Sequence, residues 1–577
     1  MGPPRDPSHR TARGVIISTL TTILGQACLF TVTDGGQRLE ELSAREWAIL
    51  AGACNAHALM APGRELTVHV YHPDGQHFPR TTDDRSFDGR SRLYRRRRLT
   101  LRIRNDLQVS PAPVPDSRQR VLLEGDTRHV LLSDDATAVE KPLLVQPGDL
   151  RGRILRSARG RAPLWYDELR DLEALRHRWS ITRPRRRRVY TDDFAPGGDH
   201  EEDTVVPAGP VAPGAPRAVL VGMHWFEIGG AERWAFETVR LVREAGLLPV
   251  VLTSRDSHHE WITRPELEGA VLLPLSEPTA LTQTPGGEQL LRAVLETFDV
   301  RGVVVHHSQW LYDRLPFVKL SRPDVPTVDS THIVEYRGGG FPVSAVLADH
   351  SIDLHHVISP SLAAWMVDTQ RVPAEKVVMA PLGGLTVEAA DQAFRPRPDG
   401  RPFTVAFVGR LARQKAPEVF VAAAARARSR GSDVRFILHG HGELAPWVDD
   451  LVDRAGLQDV LERRSGDVPV VRTLEDSDLL AVTSHNEGLT LTTLEAVAHG
   501  VPVISTDVGA QSDLVPREAL VPRNVHRAVP ALARLIGELA DDEAARRLLW
   551  ETERTAERRL LTHTSANDWF REVVSTW

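Results

Sequence analysis

Two glutamates eight positions apart, Glu487 and Glu495, lie in the stretch NEGLTLTTLEAVAHGVPVISTDVGAQSDLV, residues 486 to 515. The stretch reads as a strand, a glycine-containing loop, a helix and a second strand. Glu487 falls in the loop beside Gly488, and Glu495 lies about a turn inside the helix, so both carboxylates can face one ligand. Main-chain N–H groups at the start of that helix, near Thr490 to Thr492, have no partner within it, and the helix dipole favours negative charge there, which suits a phosphate. A carboxylate beside them can accept hydrogen bonds from ribose or sugar hydroxyls, because an ionised carboxylate only accepts. A second motif, FVGRLARQK, spans Phe407 to Lys415 directly after a strand. Gly409 permits close backbone approach there, and Arg410 and Lys415 carry charge that could neutralise a diphosphate leaving group.

The 486–515 stretch closely resembles the E-x7-E region of retaining GT-B glycosyltransferases of family GT4, and the long form EGLTLTTLEAVAHGVPVISTDVG carries that resemblance. The resemblance implies that Glu487 contacts the donor sugar, that Glu495 holds the nucleotide ribose, and that Arg410 and Lys415 meet the diphosphate. HGHGE, with Gly440 and Gly442, is similar to the glycine-bearing strand end of the family's donor domain. VLVGMHWFEIGGAERWAFETV places Gly229 and Gly230 at the start of a helix and resembles the family's GGAE loop. The donor contacts so implied are Gly229, Gly230, Gly409, Arg410, Lys415, Gly440, Gly442, Glu487, Gly488, Leu489, Thr490 and Glu495. VDSTHIVEYRGGGFPVSAVLADHSIDLHHVISPSLAAW resembles a segment in which a histidine follows a strand and a Gly-Gly-x-Pro loop shapes the acceptor pocket. It implies His332 as the active-site histidine and Glu335, Gly339 and Gly340 as members of the pocket.

The elements that must position these residues alternate short apolar runs with amphipathic stretches. Ala218 to Gly222, Leu248 to Thr253, Val303 to Val305, Thr327 to Asp329 and His356 to Ser359 form one series. Phe403 to Val408, Val434 to Leu438, Leu479 to Thr483 and Val501 to Ser505 form a second. This is the rhythm of parallel sheets wound by helices, whose ligands bind outside the carboxyl ends of the strands. The expected fold is therefore α/β with two doubly wound Rossmann-like domains, preceded by a β-rich or α+β N-terminal domain, and the resemblance implies that the two face a cleft in the GT-B arrangement.

With 577 residues the chain is long enough for several hydrophobic cores. Four units are expected: an accessory domain over 1–190, an acidic Pro/Gly linker over 191–216, an acceptor-side domain over 217–390, and a nucleotide-sugar-binding domain with C-terminal helices over 391–577. In the first unit, Glu65 to Tyr71, Leu99 to Arg104 and Arg120 to Leu132 look like strands. Leu99, Leu101 and Ile103 alternate with Thr100, Arg102 and Arg104, giving one apolar and one basic face. Gly14 to Val32 is read as buried strand or helix, since Ser18, Thr19, Thr21, Thr22, Gly25 and Gln26 interrupt its apolar run.

The net charge of −6 hides a division: residues 1–200 carry +8 and the remainder −14. Arg95–Arg98 and Arg185–Arg188 could contact anionic lipid, a phosphorylated acceptor or nucleic acid. Because 67 of the 71 basic residues are arginine, a solvated face is their ordinary reading. Nucleic acid is the least favoured partner, as no DNA- or RNA-binding motif accompanies them. An acceptor-recognition or membrane-docking role is expected for 1–190, with peripheral contact at an anionic membrane. The two cysteines show no metal-ligand spacing, and a reducing, cytoplasmic setting is the default.

The expected activity is retaining transfer of a sugar from a nucleotide-diphosphate sugar to an acceptor hydroxyl, such as a glycan or a lipid-linked one, in polysaccharide or glycolipid assembly. The nucleotide sugar is a co-substrate, and no cofactor or metal is expected. Asp476-Ser477-Asp478 matches the metal-binding D-x-D pattern of the other glycosyltransferase fold but precedes a buried strand. His258–His259, His306–His307 and His355–His356 are read as non-metal. Sugar-nucleotide epimerases and glycogen-type phosphorylases share the fold and remain alternatives, as does a non-catalytic sugar-binding relative. A phosphorylase needs a lysine for pyridoxal phosphate, and Lys319 and Lys376 have no supporting context.

Overall fold

The computed structural model of the chain describes residues 20–72, 77–82, 92–110, 125–133, 150–172, 176, 206–227, 229–277, 287–334, 340–382, 392–431 and 433–577. The N-terminal region opens with a hairpin of β1 (Thr21–Ile23) and β2 (Gln26–Cys28), followed by β3 (Thr31–Asp34) and the helix α1 (Ala44–Met60). Strands β4 (Glu65–Tyr71), β5 (Arg97–Arg104) and β6 (Thr127–Leu131) complete a four-stranded sheet of order β3-β5-β4-β6. The region is thus α+β. Leu99, Leu101 and Ile103 are buried while Arg102 and Arg104 face solvent, as their alternation requires. Helix α2 (Leu150–Arg161) closes this part of the chain.

Helix α1 packs the described part of the N-terminal region onto the first lobe. Ser43 caps it reciprocally with Glu46: the Glu46 amide donates to Ser43 Oγ and the Ser43 amide to Glu46 Oε2. Every residue from Glu46 to Met60 is buried. A helix covered all round must lie between two layers, and its second layer belongs to the next domain, where Pro274 packs against Gly52. Thr81 continues the seam by donating its amide to Ser276 Oγ at 2.8 Å. Cys28 and Cys54 are buried free thiols in this layer, and burial pushes the Cys28 thiol up to about 12.

The first lobe is a seven-stranded parallel sheet. It contains β7 (Arg217–Met223), β8 (Leu248–Arg255), β9 (Val271–Glu277), β10 (Asp299–His306), β11 (Thr327–Thr331), β12 (Leu354–Val357) and β13 (Val377–Met379). Its order is β13-β12-β11-β10-β7-β8-β9, so the winding reverses beside β7. Helix α3 (Gly230–Glu244) follows β7 and α4 (Gly287–Thr297) precedes β10. The end of the expected linker is clamped to this lobe: the Gly209 amide donates to Glu296 Oε1, and Arg292 donates to the Pro207 carbonyl.

The second lobe is a six-stranded parallel sheet. It is built from β14 (Phe403–Val408), β15 (Val434–His439), β16 (Leu461–Arg464), β17 (Leu479–Val482), β18 (Val503–Thr506) and β19 (Leu520–Val521), in the order β16-β15-β14-β17-β18-β19. Its winding reverses between β14 and β17. Helix α5 (Pro417–Ser429) follows β14 and α6 (Leu491–Ala498) follows β17, and α7 (Val525–Asp541), α8 (Glu543–Leu560) and α9 (Ala566–Ser575) end the chain. The span 391–577 is not one spatial unit. α9 returns to the first lobe, where Trp569 stacks on His356 at 4.8 Å and Arg217 donates to the Trp577 carbonyl at 2.5 Å.

Candidate functional site

Both winding reversals leave a crevice at the carboxyl ends of neighbouring strands, and the chemistry-bearing loops emerge there. Residues 409–416 follow β14, 483–490 follow β17, 224–230 follow β7 and His307 follows β10. The two lobes meet at these loops. Ile333 and Gly488 form an antiparallel bridge, and the Val334 amide donates to the Glu487 carbonyl at 3.1 Å. Nearby, Ser361 donates its amide and hydroxyl to Asp513 at 2.9 and 2.6 Å.

In the second lobe, Lys415 Nζ donates to Glu487 Oε1 at 2.5 Å, and Ser484 Oγ donates to the same oxygen at 2.6 Å. Glu487 is buried, so a charged partner and a hydroxyl together offset the cost of taking its carboxylate from water. Loop 409–416 is sewn to the β17 loop by the His485 amide on the Gln414 carbonyl and by Gln414 Nε2 on the Asn486 carbonyl. Gly440 and Gly442 support this loop from behind. Gly440 has φ +150°, a Cβ there would overlap the Gly409 carbonyl oxygen, and Gly442 lies against the Leu411 carbonyl. The space beside Gly409 itself is open to within ordinary contact of Lys415.

Thr490 is the N-cap of α6, where the Thr493 amide makes a helical bond back to the Thr490 carbonyl at 3.0 Å; the amides ahead of it emerge at the helix end. Leu489 and Thr490 are buried, and Gln511 donates to Thr490 Oγ1. Glu495 is buried one turn on, and burial pushes its carboxyl up while Arg233 of the first lobe, 3.5 Å away, opposes that shift. Gly230 lies against Leu491, so the first lobe's GG loop touches the start of α6.

Across the cleft, Arg410 Nη1 stands 3.7 Å from Glu227 Oε2 and its guanidinium lies 5.6 Å from the Trp225 ring. Burial pushes Glu227 up to about 7, with Ser257 and Arg410 opposing and Glu260 and Glu232 adding to it. Glu232, tucked against Gly229, accepts from Trp225 Nε1 at 2.8 Å and faces His224 Nε2 at 3.1 Å. Despite the raising effect of burial, its histidine partner holds it down to about 2.

His332 is buried at the end of β11. Its amide donates to His307 Nε2 at 3.2 Å, its Nε2 lies 2.8 Å from Ser330 Oγ, and its Nδ1 has no hydrogen-bond partner. Burial, reinforced by His307, His306, His356 and His224, pushes its pKa well below the usual histidine value, so the ring is neutral. His307 holds a left-handed backbone (φ 53°) and stacks on Phe341 at 5.3 Å. Gly340 begins the helix Gly340–Leu347 beside this cluster. Glu335 and Gly339 lie outside the described residues.

His224, Trp225, Glu227, Glu232, Arg233 and His307 were not among the expected site residues. For four of them the signal was position: HWFE directly follows the strand VLVGM, and His307 directly follows β10, whereas Glu232 and Arg233 lie in the first turn of α3. The D-x-D carboxylates lie elsewhere. Asp478 accepts from Arg401 and from the Thr404 amide at the amino end of the sheet, and Asp476 pairs with Arg464 at 2.9 Å. His355, read as non-metal, lies between Asp329 and Asp349, each at 3.1 Å. That chain ends on Lys376, which is bound to Asp349, and Lys319 is bound to Asp353 at 2.7 Å.

Residues 402–542 match the family profile described as "Glycosyl transferases group 1". The chain is 33% identical over 171 residues to the D-inositol 3-phosphate glycosyltransferase of Arthrobacter sp., covering 27% of this chain and 39% of that protein. It is 25% identical over 348 residues to the protein of the same name from Stackebrandtia nassauensis, covering 52% of this chain and 78% of that one. The chain therefore spans about two fifths of the first of these relatives. Among solved structures, HepE of Anabaena in complex with UDP aligns with a TM-score of 0.48 at 16% identity, covering 62% of this chain and all of that one.

Proposed function

We propose that this chain, whose residues 402–542 carry the glycosyl transferases group 1 match, transfers a sugar from a nucleotide-diphosphate sugar to an acceptor hydroxyl with retention of configuration. The observation that carries the reading is the meeting of Lys415 and Glu487 at the carboxyl ends of β14 and β17, ahead of the N-terminus of α6. In this reading Lys415, Arg410 and the amides at the start of α6 stabilise the departing diphosphate, so electrostatic preorganisation carries the step. Glu487 contacts the donor sugar and Glu495 the ribose. The acceptor enters from the first lobe, where His332 and Gly340 line its side. Neither a metal nor a resident cofactor is invoked.

The pairing of Asp476 and Asp478 with arginines supports leaving a D-x-D metal out of this account. The engagement of Lys319 and Lys376 with carboxylates weighs against a phosphorylase, whose lysine must reach pyridoxal phosphate. The names of the two relatives suggest a polyol phosphate as one acceptor class. A thermal-shift panel of UDP-, GDP- and ADP-sugars, followed by isotope-labelled transfer to the responding donor's acceptors, tests the reading. A ligand at 100 times its Kd stabilises by about 2.7 kcal/mol. No stabilisation by any of the three would overturn it.

A membrane-side setting has support of its own. Ile154, Leu169 and Leu172 are exposed on the helical segment 150–172, which is rich in arginine. Exposed apolar side chains on an arginine-rich helical segment suit the surface of an anionic bilayer. Co-sedimentation with phosphatidylglycerol vesicles tests this, and binding equal to that for neutral vesicles would remove it. No helix among the described residues is long and apolar enough to cross a membrane.

A further inference from the structure

We infer that Asp171, carried by the N-terminal region, is a positioning residue for the 409–416 loop of the second lobe. The inference rests on the reading of that loop as the diphosphate site. The body of the N-terminal region is built into the first lobe through α1, yet α2 and the helical turns after it lie on the second lobe. The Ala162 amide donates to the Ala158 carbonyl and the Tyr166 amide to the Ala162 carbonyl, each at 3.0 Å, so the helix continues through a bend at Ala162 to residue 172. Three contacts seat it. Arg159 lies 3.5 Å from the centre of the Trp447 ring, Trp165 stacks on His526 at 4.1 Å, and Glu168 meets His526 Nε2 at 3.1 Å.

The fourth contact reaches the site. Arg413 lies between Arg410 and Lys415, and its Nε and Nη2 donate to the Asp171 carboxylate at 3.1 and 2.8 Å while Nη1 donates to buried Glu418. A fork held on both sides fixes the guanidinium in direction as well as place. The loop needs such holding, because it ends on Ala416, a buried non-glycine residue with φ 49° and ψ 55°. A left-handed alanine persists only where the surroundings over-determine it. Thr483 Oγ1 grips the Lys415 and Ala416 carbonyls from the inside, and Asp171 grips Arg413 from the outside. A segment from outside the matched residues 402–542 thus sets the placement of Arg410 and Lys415.

The test compares the full chain with Asp171→Asn and Asp171→Glu by hydrogen exchange and by calorimetry with UDP, GDP and ADP. Amides 409–416 are expected to exchange about tenfold faster in Asp171→Asn, with β14 unchanged, and the Kd of the nucleotide that binds is expected to rise about tenfold. Asp171→Glu should restore both to within about twofold. Wild-type exchange over 409–416 in Asp171→Asn, or an equal acceleration in β14, would overturn the positioning role. If the wild-type chain binds none of the three nucleotides, the glycosyl-transfer reading falls and the exchange rates alone decide the role of Asp171.

Discussion

Gly488 lies so close beneath the carbonyl oxygen of His332 that a Cβ on it would overlap that oxygen. One residue belongs to the loop after β17 and the other to the end of β11, so the contact joins the lobes at the proposed reacting centre. Gly488→Ala must open this seam. Overpacking costs about 1 to 3 kcal/mol, and turnover is expected to fall by more than 100-fold while bare-nucleotide binding changes far less. Steady-state kinetics beside nucleotide calorimetry measures the split.

Lys415 is one of four lysines among 71 basic residues, and it reaches the oxygen of Glu487 that Ser484 also holds. An ammonium is a compact point charge, whereas a guanidinium is a wide planar fork. Lys415→Arg is expected to lower the rate at saturating donor at least tenfold, and Lys415→Ala further still, since it also leaves buried Glu487 without its cation. A Lys415→Arg enzyme with wild-type initial rates would refute the geometric argument.

Glu495 is buried within reach of Arg233 at the expected ribose position. A hydrogen bond to a charged group contributes about 1.5 to 3 kcal/mol, so Glu495→Ala should weaken nucleotide binding by roughly 10- to 150-fold. Circular dichroism should show an intact fold. Unchanged affinity by calorimetry would take Glu495 out of the site.

Glu227 gives the cleft a pH dependence. Its carboxyl, pushed up to about 7, is neutral below that pH and ionised above it. Ionised, it competes with a diphosphate for Arg410, so the donor KM should rise as pH increases through about 7. The folded chain holds this proton while the unfolded chain releases it near the ordinary value of 4.5, so the group's contribution to stability falls as pH rises across that window. Glu227→Gln should flatten the KM profile between pH 6 and 8, and a retained inflection would assign it to another group.

His332 is held neutral by burial and four neighbouring histidines. His332→Ala is expected to cut turnover at least 100-fold with little change in nucleotide Kd, and the wild-type rate should show no inflection from His332 between pH 6 and 8. A soluble His332→Ala protein with normal turnover would leave the ring a purely structural part of the Ser330 network.

Local pattern was enough for the strands that both sheets bury. Ala218 to Gly222, Val303 to Val305, Phe403 to Val408 and Leu479 to Thr483 stand at or beside a winding reversal, covered on both faces, and so read as unbroken apolar runs. Among the strands of the two lobes, the four that pattern did not reveal, β9, β13, β16 and β19, are the edges of the two parallel sheets. An edge strand is paired on one side only, so it tolerates Pro274 in β9, the charges of LERR in β16 and the two residues of β19. Similarly, Glu487, Glu495, Arg410 and Lys415 were legible because a loop and a helix turn of fixed spacing display them. Glu227 meets Arg410 and Arg233 meets Glu495 only because the lobes face one another, and Asp171 meets Arg413 only because a helix from the N-terminal region is laid on the second lobe. Spacing along a chain determines which side chains share an element. Which elements share a cleft depends on how two sheets and a buried helix pack, and that is a property of the tertiary structure alone.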